Sequence, residues 1–432
     1  MNVATPLDLL LKYDRPVPRY TSYPTATAFD SAVGPEHLRE LLGAAADSPL
    51  SLYVHVPFCR HACWYCGCHR VTTQAGSKAV GPYLEALAQI HWGGGTPNYL
   101  DDHETGELWE RIARHFQLEN DLEASIEVNP EFLTRQRILQ LRQLGFNRIS
   151  FGIQDADPEV QKAVNRVVPV DQLRRVMGWI REAEFSSVNV DLICGLPLQT
   201  PERLHSTLAL VKELRPERVS LFSFAYLPEQ LPLQRNIRPE DLPDQHERLQ
   251  MLDDAHRELG SSGYEAIGMD HYAPAGDSLA IAAREGRLHR NFQGYTTGGH
   301  LDLLGLGPTA ISMFPHLFSQ NQRNLKAYYA SLQAGILPVE RGLVVQDPDL
   351  LERRAIIQEV MCRFRVTLDP ERHASEWADL QALSADGLVQ LSRGIDGMAL
   401  MEVTPRGRWL IRTVAAVFDP SQKRKASGSR LI

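Results

Sequence analysis

The stretch His55-Val56-Pro57-Phe58-Cys59-Arg60-His61-Ala62-Cys63-Trp64-Tyr65-Cys66-Gly67-Cys68 decides how this chain is read. It holds four of the six cysteines, while Cys194 and Cys362 lie far away. A secreted disulfide framework spreads its cysteines through a much smaller chain. Clustering within 432 residues points instead to metal ligation in a reducing compartment, and so to a cytoplasmic protein. Structural zinc usually takes four ligands as two CxxC-like pairs separated by a longer spacer. Here the spacing is CxxxCxxC on one tight loop, with no second pair. The three thiolates of Cys59, Cys63 and Cys66 can hold three irons of a [4Fe–4S] cube and leave the fourth iron open to another ligand. On the residues alone, a zinc knuckle or cysteines gathered by chance remains the alternative.

Outward from the loop, β-branched runs alternate with amphipathic helical stretches. Strands are expected at Ser51–Phe58, Ile90–Trp92, Ser125–Asn129, Arg148–Gln154, Ser187–Cys194 and Arg218–Phe224. Helices are expected at Glu107–Phe116, Leu133–Leu144, Val170–Glu184 and Pro201–Leu214, the last opened by Thr200 as cap and Pro201 in the first turn. Six βα units imply a parallel sheet with helices outside, a partial (β/α)6 TIM-like barrel. In such sheets chemistry sits at the C-terminal strand ends, where the cysteine loop falls. Beyond about residue 320 the alternation stops. Asn321–Gln333 and Leu350–Phe364 read as helices, followed by a short helix ending near Asp386-Gly387, a hairpin turning at Gly394–Gly397 and a helical stretch Pro405–Val417. The expected organisation is an N-terminal extension (1–48) closing over the site, a barrel (49–315), and a mostly helical, winged-helix-like C-terminal domain (316–432).

Hydrophobic residues make up 43% and charged residues 23%, as in an ordinary globular protein, and the formal net charge is −8. That balance argues against a nucleic-acid or membrane-surface partner. No apolar run reaches membrane-spanning length, and the first residues lack the pattern of a signal peptide. The winged-helix-like region has no dense basic recognition helix, so a packing or lid role is expected of it, and Lys423-Arg424-Lys425 reads as a solvated tail.

Gly93-Gly94-Gly95-Thr96 ends the second strand, where glycines let a backbone approach a ligand closely. A plain tight turn is the bland reading of those glycines. Glu127 stands near the end of the next strand, where an acid suits an ammonium or hydroxyl partner.

With these stretches together a family is recognisable. HVPFCRHACWYCGCHR resembles the radical S-adenosylmethionine enzymes, and specifically the oxygen-independent coproporphyrinogen III oxidases of haem biosynthesis. The resemblance takes in Arg19–Thr25 (RYTSYPT), His91–Pro97 (HWGGGTP), Ile126–Pro130 (IEVNP), Gly145–Asp155 (GFNRISFGIQD), Asp191–Pro197 (DLICGLP), Gly268–His271 (GMDH), Leu288–Thr297 (LHRNFQGYTT) and VTPRGRWLIR near the C-terminus. It implies a [4Fe–4S] cluster and two molecules of S-adenosylmethionine. The cluster would sit on Cys59, Cys63 and Cys66. Cosubstrate contacts would fall at Tyr53, Tyr65, Gly94, Gly95, Thr96, Glu127, Gln154, Arg166, Asp191, Ala225 and Ile311. The implied reaction is oxidative decarboxylation of two propionates of coproporphyrinogen III to vinyl groups, giving protoporphyrinogen IX through a 5′-deoxyadenosyl radical. A low-potential cytoplasmic electron donor and a monomeric protein are expected with it.

Cys68 and the RYTSYPT lead-in favour the oxidase over a haem-binding or haem-transfer paralogue, and Cys68 is read as catalytic rather than as a small buried residue. Arginine grips carboxylates in a bidentate fork, so Arg19 and Arg290 are the substrate candidates, against ordinary surface ion pairs. One stretch departs from the family. Pro82–Gln89 reads as a helix, yet only Ile90, His91 and Trp92 separate it from the glycines, where relatives have a longer passage; the region around Trp377–Ala385 also looks short. A catalytically impaired relative is therefore a third reading. One element must yield at the first gap: a helix of barely two turns is marginal, so the strand is expected to persist and the helix to give way.

Overall fold

The computed structural model describes residues 9, 12–13, 15–44, 49–72, 85–395 and 397–424. Its frame is a twelve-stranded sheet. The strands are β1 (Leu50–Val56), β2 (Glu85–Gly94), β3 (Phe116–Val128), β4 (Arg148–Gln154), β5 (Ser187–Cys194), β6 (Arg218–Ser223), β7 (Tyr264–Ile267), β8 (His271–Pro274), β9 (Asp302–Leu306), β10 (Ile311–Met313), β11 (Leu317–Asn321) and β12 (Val339–Val344). Their spatial order is β12-β11-β10-β9-β1-β2-β3-β4-β5-β6-β8-β7. Strands β1 to β6 lie side by side in chain order and all parallel, which is the expected partial barrel. Strand β9 adds to β1 in parallel, and β8 adds to β6 antiparallel.

Side-chain alternation explains the layering. In β5, Val188, Val190 and Leu192 are fully buried beneath the helices, while Asn189 and Asp191 face the barrel interior. The same alternation turns Gln89 and His91 of β2, Ser125 and Glu127 of β3, Ser150 of β4 and Ser220 of β6 inward. A closed barrel fills its interior with branched apolar layers; this open one carries polar side chains around a cavity. Outside it pack α1 (Pro35–Ala44), α2 (Asp102–His115), α3 (Arg135–Leu144), α4 (Val170–Glu182), α5 (Pro201–Leu214) and α6 (Gln245–Ser261). Helix α4 buries Leu173, Val176, Met177 and Ile180 on one face, and Thr200 caps α5 by accepting from the Arg203 amide. Trp92, Phe146 and Trp109 interlock behind β2, with Phe146 5.2 Å from Trp92 and 4.7 Å from Trp109 by ring centroid. Such pairs contribute about 0.5–1.5 kcal/mol beyond their buried area.

Strand β2 corrects the helix expected over Pro82–Gln89. Glu85–Gln89 is strand, and residues 82–84 lie outside the described ones. The segment pairs with β1 on one side and β3 on the other, and those ladder bonds replace what two helical turns would have supplied. The helix gives way and the strand persists as expected, but Glu85–Gln89 lengthens the strand instead of unwinding into the connection. Strand β3 likewise begins at Phe116 rather than Ser125, because the lengthened β2 offers it a partner from Glu85 onward.

Past residue 320 the expected helix Asn321–Gln333 is shorter, α7 (Leu325–Gln333). Strands β11 and β12 flank it and continue the large sheet to Val344, so the sheet does not stop at residue 315. Next come α8 (Pro348–Arg363) and α9 (Ala374–Ala385), then a three-stranded antiparallel sheet of β13 (Arg365–Leu368), β14 (Val389–Arg393) and β15 (Ala399–Val403) in the order β13-β15-β14, and α10 (Ile411–Ala416). A second hydrophobic core joins α8, α9 and α10 to Val17 and Tyr20 of the N-terminal segment. Polar bonds hold the same junction. The Arg412 guanidinium donates to the carbonyls of Val17 and Pro18, and the Tyr20 hydroxyl donates to Asp419 (3.0 Å).

Candidate active site

The cysteine loop leaves the C-terminal end of β1 and is tied down by three neighbours. The Arg70 guanidinium donates to the carbonyls of Cys66 (3.1 Å) and Cys63 (3.3 Å). Asn165 donates to the Ala62 carbonyl (2.9 Å), and the Trp64 amide donates to the Val164 carbonyl (3.0 Å). The glycine motif packs from the other side. The Gly95 amide donates to the Val56 carbonyl at 2.7 Å, and a Cβ on Gly95 would stand 2.7 Å from the Pro57 backbone. Gly94 has φ +106°, and a Cβ there would meet the His55 ring at 2.7 Å. Only glycine fits this approach. Thr96 then places its hydroxyl 3.2 Å from the Cys59 sulfur.

All six cysteines are free thiols, with Cys59 and Cys63 buried and Cys66 half-buried. Among the described residues no three His, Cys, Asp or Glu side chains gather as a single metal ion requires. Three thiols on one loop can each take a different iron and leave the fourth open, so the donor set suits an iron–sulfur cube. Local charge favours the thiolates of Cys63 and Cys66, while burial pushes the Cys59 thiol up. Burial pushes Cys63 up, but hydrogen bonding from His61 and the Arg166 guanidinium (Nη1 3.7 Å from Sγ) hold it below the ordinary thiol value. Cys66 is brought down to about 6, chiefly by the hydrogen bond from Cys68, with Arg70 adding to the effect against burial.

Arg166 also donates to the Gly152 carbonyl (3.1 Å), yet among the described residues its buried Nε has no partner, nor has the buried Gln154 Oε1. Gln154 itself sits at φ +63°, in the left-handed region. Unmet polar atoms and a strained residue beside the thiols fit a polar ligand that completes the site.

A cavity of about 700 Å³ opens from this loop into the barrel, within the usual span of roughly 300–1,000 Å³ for small-molecule sites. Of the residues expected from sequence, Arg19, Tyr65, Cys66, Cys68, Glu127, Gln154, Asp191, Ala225 and Arg290 line it. Gly94, Gly95, Thr96, Cys59, Cys63 and Arg166 stand behind its wall, in contact with the cysteine loop as described. Tyr53 also lies behind it, stacked on His91 at 5.9 Å. Ile311 is set apart, on β10 among Phe29, Phe318 and Val345. Cys68 is exposed at the cavity surface.

Sequence reasoning passed over several polar groups that the strands bring inward. His91 joins Ser125 (2.6 Å) and Glu127 (3.1 Å). His55 Nε2 donates to the His69 carbonyl (3.1 Å), so Nδ1 accepts from the Tyr53 hydroxyl (3.0 Å), and burial keeps the ring neutral by lowering its pKa. Asn189 donates to Ser150 (2.9 Å) and Asp191 (2.8 Å). Burial first, and then the charge of Glu127, pushes Asp191 up to about 6. Asp270 was also passed over. The signal available was strand alternation: a polar residue two positions from another along a strand faces the same interior.

These features are those of a radical S-adenosylmethionine enzyme: a partial barrel, three thiols on a loop after its first strand, and a glycine cradle after its second. A family model for the radical SAM superfamily matches residues 53–211. The oxygen-independent coproporphyrinogen III oxidase of Synechocystis sp. is 44% identical over 452 aligned positions, covering 97% of this chain and 96% of the relative. That of Escherichia coli is 40% identical, covering 97% and 96%. The solved structure of coproporphyrinogen III oxidase (HemN) from Escherichia coli, described as a radical SAM enzyme, matches with a TM-score of 0.88 at 38% identity, over 98% of this chain and all of that one. The chain belongs to the oxygen-independent coproporphyrinogen III oxidase family. The 452 aligned positions exceed its 432 residues, so at least 20 positions of the Synechocystis relative have no counterpart here.

Proposed function

We propose that this site carries out the oxygen-independent oxidation of coproporphyrinogen III, converting two propionates to vinyl groups and giving protoporphyrinogen IX. The observation that carries the reading is one cavity lined by Cys66 and Cys68 and also by Arg19 and Arg290, which supports a substrate held between a metal-ligating loop and carboxylate-binding groups. Cys59, Cys63 and Cys66 would hold a [4Fe–4S] cluster, with S-adenosylmethionine against Tyr53, Tyr65, Gly94, Gly95, Thr96, Glu127, Gln154, Arg166, Asp191 and Ala225; Ile311 would reach a ligand only beyond the described cavity wall. When bound, these groups would supply a hydrogen-abstracting adenosyl radical, and each propionate, on losing carbon dioxide, would pass one further electron to a one-electron acceptor.

The chain's own residues position and protect. Arg166 and Arg70 offset negative charge at the thiolates. Glu127, paired with His91, and Asp191 present acceptors for an ammonium or ribose hydroxyls. The N-terminal segment (1–48), through Arg19 and Thr21, and the C-terminal region would cover the cavity against water and stray hydrogen donors. Cys68 faces the substrate space as the nearest thiol outside the ligand set. A low-potential electron donor, a monomeric state and a cytoplasmic location complete the proposal; among the described residues no helix is long and apolar enough to cross a membrane. Anaerobic incubation with coproporphyrinogen III, S-adenosylmethionine and a one-electron reductant should yield protoporphyrinogen. A chain that binds the cluster and yields none would be an impaired relative, with the shortened β1–β2 passage as the cause to repair first.

A further inference from the structure

The far wall of the cavity holds a charge arrangement that the cluster and cosubstrate leave unused. Asp270 is buried just before β8. Its Oδ2 accepts from Arg19 of the N-terminal segment, its Oδ1 lies 2.6 Å from His271 Nδ1, and Arg290 Nη1 approaches the same oxygen at 3.5 Å. Arg290 stands on the hairpin His289–Thr296 and lies 4.4 Å over the Tyr295 ring. That ring is fixed at both sides of its hydroxyl, which donates to the Met361 carbonyl (3.1 Å) and accepts from the Met269 amide (3.0 Å). The Arg290 side chain is only 2% exposed, yet among the described residues its Nε has no hydrogen-bond partner and its Nη1 meets Asp270 only as the 3.5 Å ion pair. Two guanidinium groups share one carboxylate, so the group carries a surplus positive charge. A buried charge with unmet donors is costly unless a further anion completes it.

We infer that Arg290 binds a propionate of the tetrapyrrole that is retained through the reaction, and that Asp270 is the positioning residue that aims it. This rests on the reading under Proposed function. The choice of a retained propionate follows from charge. A carboxylate leaving as carbon dioxide loses its negative charge on the way to the transition state. A guanidinium bound to it would therefore stabilise the starting state more than the transition state, and slow the step. The same grip on a propionate that keeps its charge fixes the macrocycle without that cost. Arg19, bound to Asp270, couples this anchoring to the N-terminal segment that borders the cavity.

The test uses the full chain and oxidised coproporphyrin III as probe, with its tetramethyl ester as the uncharged control, and follows porphyrin fluorescence. Arg290→Gln should weaken coproporphyrin binding at least tenfold and leave ester binding unchanged, while Arg290→Lys recovers part of the loss. Asp270→Asn should raise KM for coproporphyrinogen several-fold with kcat within about threefold of the original. Iron content after reconstitution reports that each variant has folded. Equal coproporphyrin affinity in Arg290→Gln and the unaltered chain would overturn the proposal. So would a rise in kcat together with a raised KM in Arg290→Gln, which would put Arg290 on a reacting propionate. If the unaltered chain binds no coproporphyrin, the functional reading fails together with this one, whereas normal binding that Arg290→Gln does not alter removes only the anchor.

Discussion

Cys68 and its neighbours differ in what they face. Cys59 and Cys63 are buried in the loop, while Cys68 lies on the cavity surface. Cys68→Ser is therefore expected to keep the brown iron–sulfur absorbance of the reconstituted protein and to lower coproporphyrinogen turnover at least tenfold. Replacing Cys59, Cys63 or Cys66 by Ala should abolish the absorbance. Loss of the cluster in Cys68→Ser would make that residue a ligand. Asp191 gives a residue-scale prediction in pH. Its carboxyl is raised from 3.8 to about 6 in the fold, so between those values the folded chain holds a proton that the unfolded chain has lost. Stability from this group accordingly falls as pH rises from about 4 to about 6. The cost above that window is on the order of 2 kcal/mol after allowance for screening by cavity water. Asp191→Asn should flatten the urea-unfolding midpoint across the same range; an unchanged slope would show that Asp191 titrates normally. The thiol ligands were legible because three chemically rare groups share one short loop. The pairing of Glu127 with His91, and of Asp270 with two arginines, was not, since it depends on register between strands far apart in sequence.

Among the elements, β2 bears the most consequence. It is the strand that carries the glycine cradle and the one that the shortened passage threatens, and pairing on both sides preserves it. Amides of Ile90, His91 and Trp92 should therefore exchange slowly with deuterium, on the timescale of global unfolding rather than local fraying. Fast exchange there would mean that the glycine motif lacks its scaffold. Gly94→Ala should cost at least about 1–2 kcal/mol, since the left-handed region disfavours a Cβ and the His55 ring stands in its path; loss of S-adenosylmethionine binding should accompany it, measured by equilibrium dialysis. Strands β4 and β5 could be read to the residue, because each is a short run with buried alternate positions set between amphipathic helices. Strands β11 and β12 could not. Leu317–Asn321 and Val339–Val344 are short segments at one end of the sheet whose extended form is fixed by pairing with each other and, for the first, with β10, a contact that local composition does not encode.

For the whole molecule, the parallel barrel was legible from repetition of one unit, whereas the join between chain ends was not. Tyr20 and Asp419 meet across nearly the full length of the sequence, and no periodicity announces it. Arg412→Ala should leave iron content unchanged, expose residues 15–30 to limited proteolysis and reduce turnover, because the segment bordering the cavity loses its anchor at Val17 and Pro18. Protease resistance equal to that of the unaltered chain would show that the hydrophobic contacts of Val17 and Tyr20 suffice. The same junction sets an order of events during synthesis. The cysteine loop and its glycine partner can assemble while the ribosome is still making the second half of the chain. The N-terminal segment cannot be fastened until Arg412 and Asp419 have emerged. The placement of Arg19 beside the cavity thus depends on residues nearly four hundred positions further along the chain.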